Sequence, residues 1–198
     1  MKKVVSYCLY GNTRKYTHGI LEAVISYKLY FIGWEIWIYV SEISVPQKVI
    51  DILISLNCKI IMMKEKGYVY EKKGIGLNEN NEPMFWRFLP LYDSSVNIWL
   101  SRDADSRASE REKQFVDEFI ESNKAIHSIL DQGCHHGLMG GGCGFNNNIL
   151  KKYAPIKHID NFIEKNVKSN GRTRRGSDQT WLREEFKHII ENKDVYVH

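Results

Sequence analysis

The amino-acid sequence predicts an α/β fold with a mostly parallel central sheet flanked by helices. In the first sixty residues, short runs of β-branched and aromatic residues alternate with segments of helical periodicity, in the order β-α-β-α-β. Glycine, asparagine or proline stands at the boundaries between these segments. Hydrophobic residues make up 43% and charged residues 26% of the 198 positions, which is typical of a globular domain and excludes a disordered chain.

The first half of the chain contains the clearest signals. Three strands are expected, over residues 4–10, 34–40 and 58–63, because each is a short apolar run rich in β-branched or aromatic residues. Between them, apolar residues recur at helical spacing over 16–31 and again after Pro46, a residue that favours the first turn of a helix. Strands in this order, joined by helices, form a parallel sheet.

The second half of the chain gives weaker signals. A loop or hairpin is expected over 64–83, strands over 96–100 and 195–198, and helices over 84–89, 109–129 and 180–190. The first of these helices should stop before Pro90, because the residue before a proline avoids helical geometry. The long helix should begin with the capping-box pair Ser109 and Glu112.

Charge and cysteine content restrict the partners and the compartment. A formal net charge of +4 is too small to demand a polyanionic partner, and we expect no nucleic acid among the partners. Four scattered cysteines predict free thiols in a reducing compartment. We expect no signal peptide and no membrane span, because Glu22, Lys28 and Glu35 interrupt the most apolar window. These features predict a cytoplasmic protein.

A pair of acids follows the predicted fourth strand. Asp103 and Asp105, with one residue between them, follow shortly after an apolar run. Ligands of open parallel sheets bind beyond the carboxyl ends of the strands, so both carboxylates can reach that crevice. Carboxylates together with phosphate oxygens suit Mg²⁺ or Mn²⁺. The pair therefore indicates a metal site, and the alternative is a helix-entry loop in which the two acids pair with Arg102 and Arg107.

Three motifs give the acidic pair a context. "RFLP" precedes it at 87–90, "RDADS" contains it at 102–106, and "GSDQTWL" follows at 176–182. In this order and spacing they resemble a nucleotide-sugar glycosyltransferase of the GT-A fold, from a cytosolic and viral branch. The segment 4–40 also resembles the opening of such enzymes. The resemblance implies a Rossmann-like GT-A fold in a single domain, 1–198, and the host cytoplasm if the protein is viral.

The resemblance also implies how the donor is bound. The nucleotide-binding half would be about 1–105 and the acceptor-side half about 106–198. Ser6, Tyr7 and Tyr10, at the end of the first strand, would line the nucleoside site. Arg87 would face the donor sugar or diphosphate, where a guanidinium fork suits paired oxygens.

The same resemblance implies a metal shell and a catalytic pair. Asp103 would touch the ribose or the cation, Asp105 would be the firmer metal ligand, and His198 would complete the shell. Asp178 and Gln179 would lie near the reacting carbon of the sugar and the acceptor, as catalytic residues. Asp178 is also a residue type that caps helix N-termini, and this structural role would be compatible with catalysis.

The function implied is a glycosyltransferase that depends on Mn²⁺ or Mg²⁺. It would transfer a sugar from a nucleoside-diphosphate sugar, with UDP favoured over GDP, to a hydroxyl of a glycan or protein. Inverting and retaining chemistry both remain open. One alternative is a nucleotidyltransferase-like phosphoryl-transfer enzyme, although a single glycine, Gly11, follows the first strand where a phosphate loop would be expected. The other is a non-catalytic module that binds sugar or nucleic acid.

The glycine run Gly140–Gly142 has three interpretations. Its backbone passes close to the donor or acceptor, where any Cβ would clash, or it is a surface loop. A zinc site built from Cys134, His135, His136 and Cys143 is the third, although this spacing fits no common zinc motif. The basic stretch 167–176 is a solvated loop or a lid over the diphosphate. In a nucleic-acid-binding protein its Arg172, Arg174 and Arg175 would hold phosphates, although few aromatic residues nearby could stack on bases.

Overall fold

The computed structural model describes residues 1–64, 82–130, 137–153, 155–170 and 176–198, with the backbone alone over 166–170. Most of the predicted loop 64–83 and three members of the zinc interpretation (Cys134, His135 and His136) therefore lie outside the described residues. So do residues 171–175 of the basic stretch.

The centre of the fold is a seven-stranded sheet. Its strands are β1 (Lys3–Leu9), β2 (Glu35–Ser41), β3 (Lys59–Met63), β4 (Ile98–Arg102), β5 (Ile126–Ser128), β6 (Gly142–Asn146) and β7 (Val195–Val197). Their order across the sheet is β3-β2-β1-β4-β6-β5-β7. β6 runs antiparallel to β4 and β5, and the other described pairings are parallel. The predicted α/β fold with a mostly parallel sheet is confirmed.

Helices cover both faces of the sheet. They are α1 (Arg14–Tyr30), α2 (Gln47–Ser55), α3 (Glu110–Ser122), α4 (Asn147–Leu150), α5 (Ile159–Asn170), α6 (Ser177–Glu185) and α7 (Lys187–Glu191), with a 3₁₀ segment over Glu82–Tyr92. Because strand side chains alternate between faces, Val5 and Ile38 pack with α1 and α2 in one core cluster. Trp37 and Trp99 pack with the 3₁₀ segment and the C-terminal helices in the other.

The fourth strand lies closer to the acidic pair along the chain than the sequence predicts. β4 covers Ile98–Arg102, two residues later than the 96–100 expected from sequence. Asn97 instead accepts the backbone N–H of Lys2 through its side chain, at 2.8 Å. The shift has a direct consequence, because Asp103 becomes the first residue beyond the carboxyl end of a buried strand.

The predicted helix over 109–129 is wrong after Ser122. α3 begins as expected, and the Ser109 hydroxyl accepts the backbone N–H of Glu112 at 3.2 Å. It ends at Ser122 because Asn123 adopts a left-handed conformation, with φ of 53°. Ile126, whose spacing extended the apolar stripe, lies in β5 opposite Phe145. Pairing with β6 has therefore overridden the helical periodicity.

Two further boundaries differ from the prediction. The 3₁₀ segment continues through Pro90 to Tyr92, since 3₁₀ turns do not use the i−4 hydrogen bond that proline disrupts in an α-helix. The expected C-terminal helix is divided at Phe186 into α6 and α7. In the part of the chain that the structure describes, no helix is long and apolar enough to cross a membrane.

Candidate functional site

A cavity of about 830 Å³ opens at the carboxyl ends of β1 and β4. Residues from both halves of the chain line it. The N-terminal half contributes the end of β1, the start of α1 and Arg87, and the C-terminal half contributes the glycine run and the start of α6. The loop that follows β4, with Asp103 and Asp105, lies between these two sets. This is the place where an α/β sheet of this kind binds its ligands.

Arg87 links two acids in the cavity. Its Nη2 atom donates to Asp178 Oδ2 at 2.6 Å, and its Nη1 atom donates to Asp103 Oδ1. The side chains of Arg87 and Asp178 are 5% and 3% exposed, whereas that of Asp103 is 55% exposed. Arg87 and Asp178 therefore form a buried ion pair, while the carboxylate of Asp103 faces the open cavity.

The buried pair leaves polar atoms without partners. Burial acts to lower the pKa of the Arg87 guanidinium, but the negative charges around it, with Asp103 first, raise the pKa above its ordinary value. Within the described residues, Arg87 Nε and Asp178 Oδ1 have no hydrogen-bond partner. Buried polar atoms are rarely left unpaired in proteins, so the two unpaired atoms mark Arg87 and Asp178 as candidates for a functional role.

The glycine run passes directly against these side chains. A Cβ on Gly140 would collide with Arg87 and Asp178, and a Cβ on Gly141 would collide with the carboxylate of Asp103. The hydroxyl of Ser101 donates to the carbonyl oxygen of Gly140 at 2.5 Å and fixes the run in place. The interpretation as a surface loop is wrong, because Gly140 is buried and the space for side chains is taken by the site itself.

Cys143 belongs to the core and not to an exposed metal site. Its thiol donates to the carbonyl oxygen of Met139 at 2.6 Å, and burial raises its pKa to about 12. Metal-binding cysteines need the thiolate form, which this environment disfavours. The structure therefore offers no support for zinc at this cysteine.

Asp105 pairs with a lysine from the first helix. The Nζ atom of Lys15 lies 2.8 Å from Asp105 Oδ2, and this hydrogen bond raises the pKa of Lys15. The proposed alternative, pairing of the two acids with Arg102 and Arg107, is wrong. Arg102 binds Glu112, at 2.7 Å, and Arg107 binds Glu22.

Arg102 holds together the elements beneath the acidic pair. Its Nε atom donates to Glu112 Oε1 at 2.7 Å and to the Tyr27 hydroxyl at 2.9 Å. Its Nη1 atom donates to the carbonyl oxygen of Cys143 at 2.7 Å. β4, β6, α1 and α3 are thus joined at one buried guanidinium. The sequence interpretation assigned Glu112 to helix capping only and missed its carboxylate in this network.

The structure brings six of the predicted site residues to the cavity: Tyr10, Arg87, Asp103, Asp105, Asp178 and Gln179. Ser6 and Tyr7 are fully buried and do not line it. The reason is that β1 continues to Leu9, so these two residues lie within the strand and the ligand edge begins at Cys8. Tyr7 instead packs edge-on against Tyr27, with ring centroids 5.9 Å apart.

His198 lies away from the acidic pair. Its ring stacks on Phe115 of α3, with centroids 4.0 Å apart, and its Nδ1 atom is 3.8 Å from Glu118 Oε2. β7 pairs with β5, which sets this end of the chain against α3 and not at the lining of the cavity. The expected completion of a metal shell by His198 does not agree with this placement.

The remaining donor set fits a hard divalent cation. In the described ranges no group of three or more His, Cys, Asp or Glu side chains converges on one point. Two carboxylates that reach a common cavity are nevertheless sufficient for Mg²⁺ or Mn²⁺, which fill the rest of their shell with water and substrate phosphate oxygens. Asp103 and Asp105, with side chains 55% and 30% exposed, meet that requirement.

Comparison with solved structures identifies the fold. Glucosyl-3-phosphoglycerate synthase from Mycobacterium tuberculosis, in complex with UDP, aligns with a TM-score of 0.58 at 11% identity, over 99% of this chain and 69% of that one. S. aureus TarS 1-349 in complex with UDP aligns with a TM-score of 0.55 at 15% identity, over 100% and 58%. This chain therefore spans little more than half of the solved TarS 1-349 chain.

Two other solved structures show the range of enzymes with this architecture. Mannosyltransferase PcManGT from Pyrobaculum calidifontis, in complex with GDP-Man and Mn²⁺, aligns with a TM-score of 0.50 at 12% identity, over 79% of this chain and 47% of that one. A cytidylyltransferase from Leptospira borgpetersenii aligns with a TM-score of 0.55 at 10% identity, over 100% and 74%. No protein-family model and no curated protein sequence matches the chain.

These similarities confirm the expected Rossmann-like GT-A fold. Identities of 10% to 15% show the fold and nothing finer. The expected viral branch receives no support from them. The chemistry of the site therefore has to be argued from its own residues.

Proposed function

We propose that the protein is a metal-dependent glycosyltransferase. It would bind a nucleoside-diphosphate sugar, with UDP favoured over GDP, and pass the sugar to a hydroxyl of a glycan or protein. The whole chain, 1–198, would act as one domain, with the nucleotide on the side of residues 1–105. The observation that carries the proposal is the convergence of Asp103, Asp105 and the Arg87–Asp178 pair in one cavity of a GT-A fold.

Each part of this convergence has a task in sugar transfer. Asp103 and Asp105 would hold Mn²⁺ or Mg²⁺, which neutralises charge on a departing diphosphate. Tyr10, at the end of β1, would face the nucleoside, since it lines the cavity where Ser6 and Tyr7 do not. The glycine run would keep the acids in place, because its backbone packs directly against them where any Cβ would collide.

Asp178 would contact the reacting part of the substrates. Its Oδ2 atom is held by Arg87, and its Oδ1 atom, which is buried and unpaired among the described residues, would have to turn toward the cavity to accept a hydrogen bond from a sugar or acceptor hydroxyl. In an inverting reaction the same oxygen would receive the proton of the acceptor hydroxyl. Arg87 keeps the carboxylate oriented, and Gln179 lies next to it on the cavity wall.

A thermal-shift panel tests this proposal. UDP, GDP and their sugars are added with and without Mn²⁺, and the true donor is expected to raise the melting temperature only when the metal is present. Asp105→Asn should abolish the metal-dependent shift. Asp117→Asn is the matched control, because Asp117 pairs with Lys113 on the surface of α3. Absence of any shift with every uridine and guanosine compound would contradict the proposal.

A nucleotidyltransferase is the second candidate. The observation in its favour is the cytidylyltransferase alignment, which covers this whole chain with a TM-score of 0.55. Against it, β1 leads into α1 through Gly11 alone, without a glycine-rich phosphate loop. Product analysis separates the two: a glycosyltransferase releases a nucleoside diphosphate from the sugar nucleotide, whereas a nucleotidyltransferase releases pyrophosphate from a nucleoside triphosphate.

A non-catalytic binding module would give a third pattern. Ligand binding would then be independent of Mn²⁺ and would survive Asp105→Asn, because no metal would bridge the protein and a phosphate. The thermal-shift panel therefore distinguishes this class from both enzymes.

A further inference from the structure

Both carboxylates of the acidic pair are engaged by cations from the N-terminal half of the chain. Arg87 binds Asp103, and Lys15, in the first turn of α1, binds Asp105 with 2.8 Å between Nζ and Oδ2. The close approach of α1 to the loop makes the second contact possible, because a Cβ on Gly19 would lie only 3.1 Å from the carbonyl oxygen of Ala104. The motifs of the sequence gave no indication of Lys15.

The two cations are held very differently. Arg87 is 5% exposed and bound by two carboxylates, one of them buried, so moving it would leave Asp178 as an unpaired buried charge. Lys15 is 63% exposed, and among the residues that the structure describes its ion pair is with Asp105. Its remaining described contact is with the ring of Tyr16, 5.1 Å from Nζ to the centroid. Lys15 can therefore leave its carboxylate at small cost, and Arg87 cannot.

Lys15 also has space to move into. It lines the main cavity and, on its other side, a shallow groove of about 350 Å³ formed with Arg14, His18, Gly19, Glu22 and Arg107. The flexible side chain can rotate from Asp105 toward this groove without displacing any core residue. A cation that arrives at Asp105 from the cavity would find the ammonium in its place and open space behind it.

We propose that the Lys15 ammonium is an internal counter-ion that occupies the metal position at Asp105 and is exchanged for the divalent cation on loading. The proposal rests on the metal dependence argued above. The ammonium reduces the repulsion among Asp103, Asp105 and Asp178 when no metal is bound. It also lowers the affinity for free metal, because binding at Asp105 requires breaking the lysine contact.

The experiment is a titration of the full chain with Mn²⁺ alone, in which electron paramagnetic resonance measures the free ion. Lys15→Met removes the competing charge and should tighten Mn²⁺ binding about threefold, the size expected for an exposed ion pair. Lys113→Met is the control for net charge, since it removes another exposed lysine that pairs with an aspartate, Asp117. Lys15→Arg should retain weak binding like the wild type.

The outcomes separate this inference from the proposed function. Tighter binding by Lys15→Met than by Lys113→Met, lost again in Lys15→Met/Asp105→Asn, supports exchange. Equal affinity of Lys15→Met, Lys113→Met and the wild type, with loss only in Asp105→Asn, overturns the counter-ion and leaves the metal site intact. No Mn²⁺ binding by any variant, with or without UDP, contradicts both. The melting temperature without metal verifies that Lys15→Met is folded.

Discussion

The two sides of the sheet differ in how well their strands can be recognised from the sequence. On one side, β3, β2, β1 and β4 are parallel, and consecutive strands along the chain are joined through helices or the 3₁₀ segment. On the other side, β5 and β7 have three residues each, and β6 is antiparallel with a glycine at two of its five positions. The strands of the first side follow from their own apolar sequences, whereas the short strands of the second side depend on pairing with neighbouring strands.

The candidate site lies along the boundary between these halves. Asp103 follows β4, the glycine run leads into β6, and Arg87 connects Asp103 with Asp178 of α6. The parallel half supplies the cations and the strand ends that ligands need. The other half supplies the glycine run and the buried carboxylate of Asp178. Substitutions at the boundary should therefore have larger effects than those within either half.

Removal of the guanidinium should give the largest effect. Arg87→Met leaves Asp178 buried and unpaired, and we expect the free energy of unfolding to fall by about 3 kcal/mol or more. Urea denaturation at neutral pH measures this, with Arg183→Met on the exposed face of α6 as control. Arg87→Met/Asp178→Asn should recover part of the loss. A decrease no larger than that of Arg183→Met would show that the two halves are not coupled through this pair.

A methyl group added in the glycine run should lower the reaction rate. In Gly141→Ala the new Cβ overlaps the carboxylate of Asp103, which must turn away from its place in the cavity. A displacement of about 1 Å at a reacting centre costs roughly 100-fold in rate, and we expect that loss in release of nucleoside diphosphate from the donor. Gly142→Ala is the matched control, because its Cβ would lie 3.2 Å from the Ile129 carbonyl oxygen and away from the acids. Equal rates for the two variants would contradict the close packing.

Acid should destabilise the protein through His127 of β5. Burial lowers the pKa of this β5 side chain to about 2, from 6.5 in an exposed setting, so the unfolded chain binds the proton first as pH falls. Stability is therefore complete above about pH 6.5 and decreases below it, by about 2 kcal/mol between pH 7 and pH 5.

Denaturation at both pH values tests the role of His127. His127→Leu should lose this pH dependence, whereas His158→Gln, at an exposed position, should keep it. A His127→Leu profile as steep as the wild type would assign the acid sensitivity to other groups.

The smallest loss of stability should come from removing the helix cap that the sequence predicted at Ser109. Ser109→Ala removes the hydroxyl that caps α3, and we expect a loss of about 1 kcal/mol in the free energy of unfolding. Ser122→Ala, at the other end of the same helix, should cost less, because its hydroxyl donates to a carbonyl within the last turn. Thermal unfolding of both variants ranks them. A reversed order would show that the cap is not what starts this helix.

Sequence patterns predicted the fold where local and tertiary preferences agree. The apolar runs that became β1, β2 and β3 were placed to within one or two residues. The helix predicted over 109–129 failed because Ile126 fits a helical stripe and a buried strand equally well, and pairing with Phe145 decided between them. β6, "GCGFN", has too few apolar residues to be recognised without its partners.

For the site, the sequence analysis named six of the residues that line the cavity but not the contacts among them. Arg87, Asp103 and Asp178 came from short motifs whose order along the chain is visible. That Arg87 joins both acids, and that Lys15 reaches Asp105, depends on how elements far apart in sequence pack. Ser6 and Tyr7 were misplaced by the resemblance and not by the strand prediction, because the expected strand 4–10 already contained both residues.

The register of β6 fixes the length of one stretch of the chain. Arg102 lies opposite Gly142 and Ser101 opposite Cys143. Strand side chains change face at every residue, so one residue gained or lost between Gly140 and Asn146 would turn Phe145 out of the core. The same slip would move a bulkier neighbour toward Asp103. Insertions and deletions should therefore be excluded from these seven positions, however freely the surrounding segments change in length.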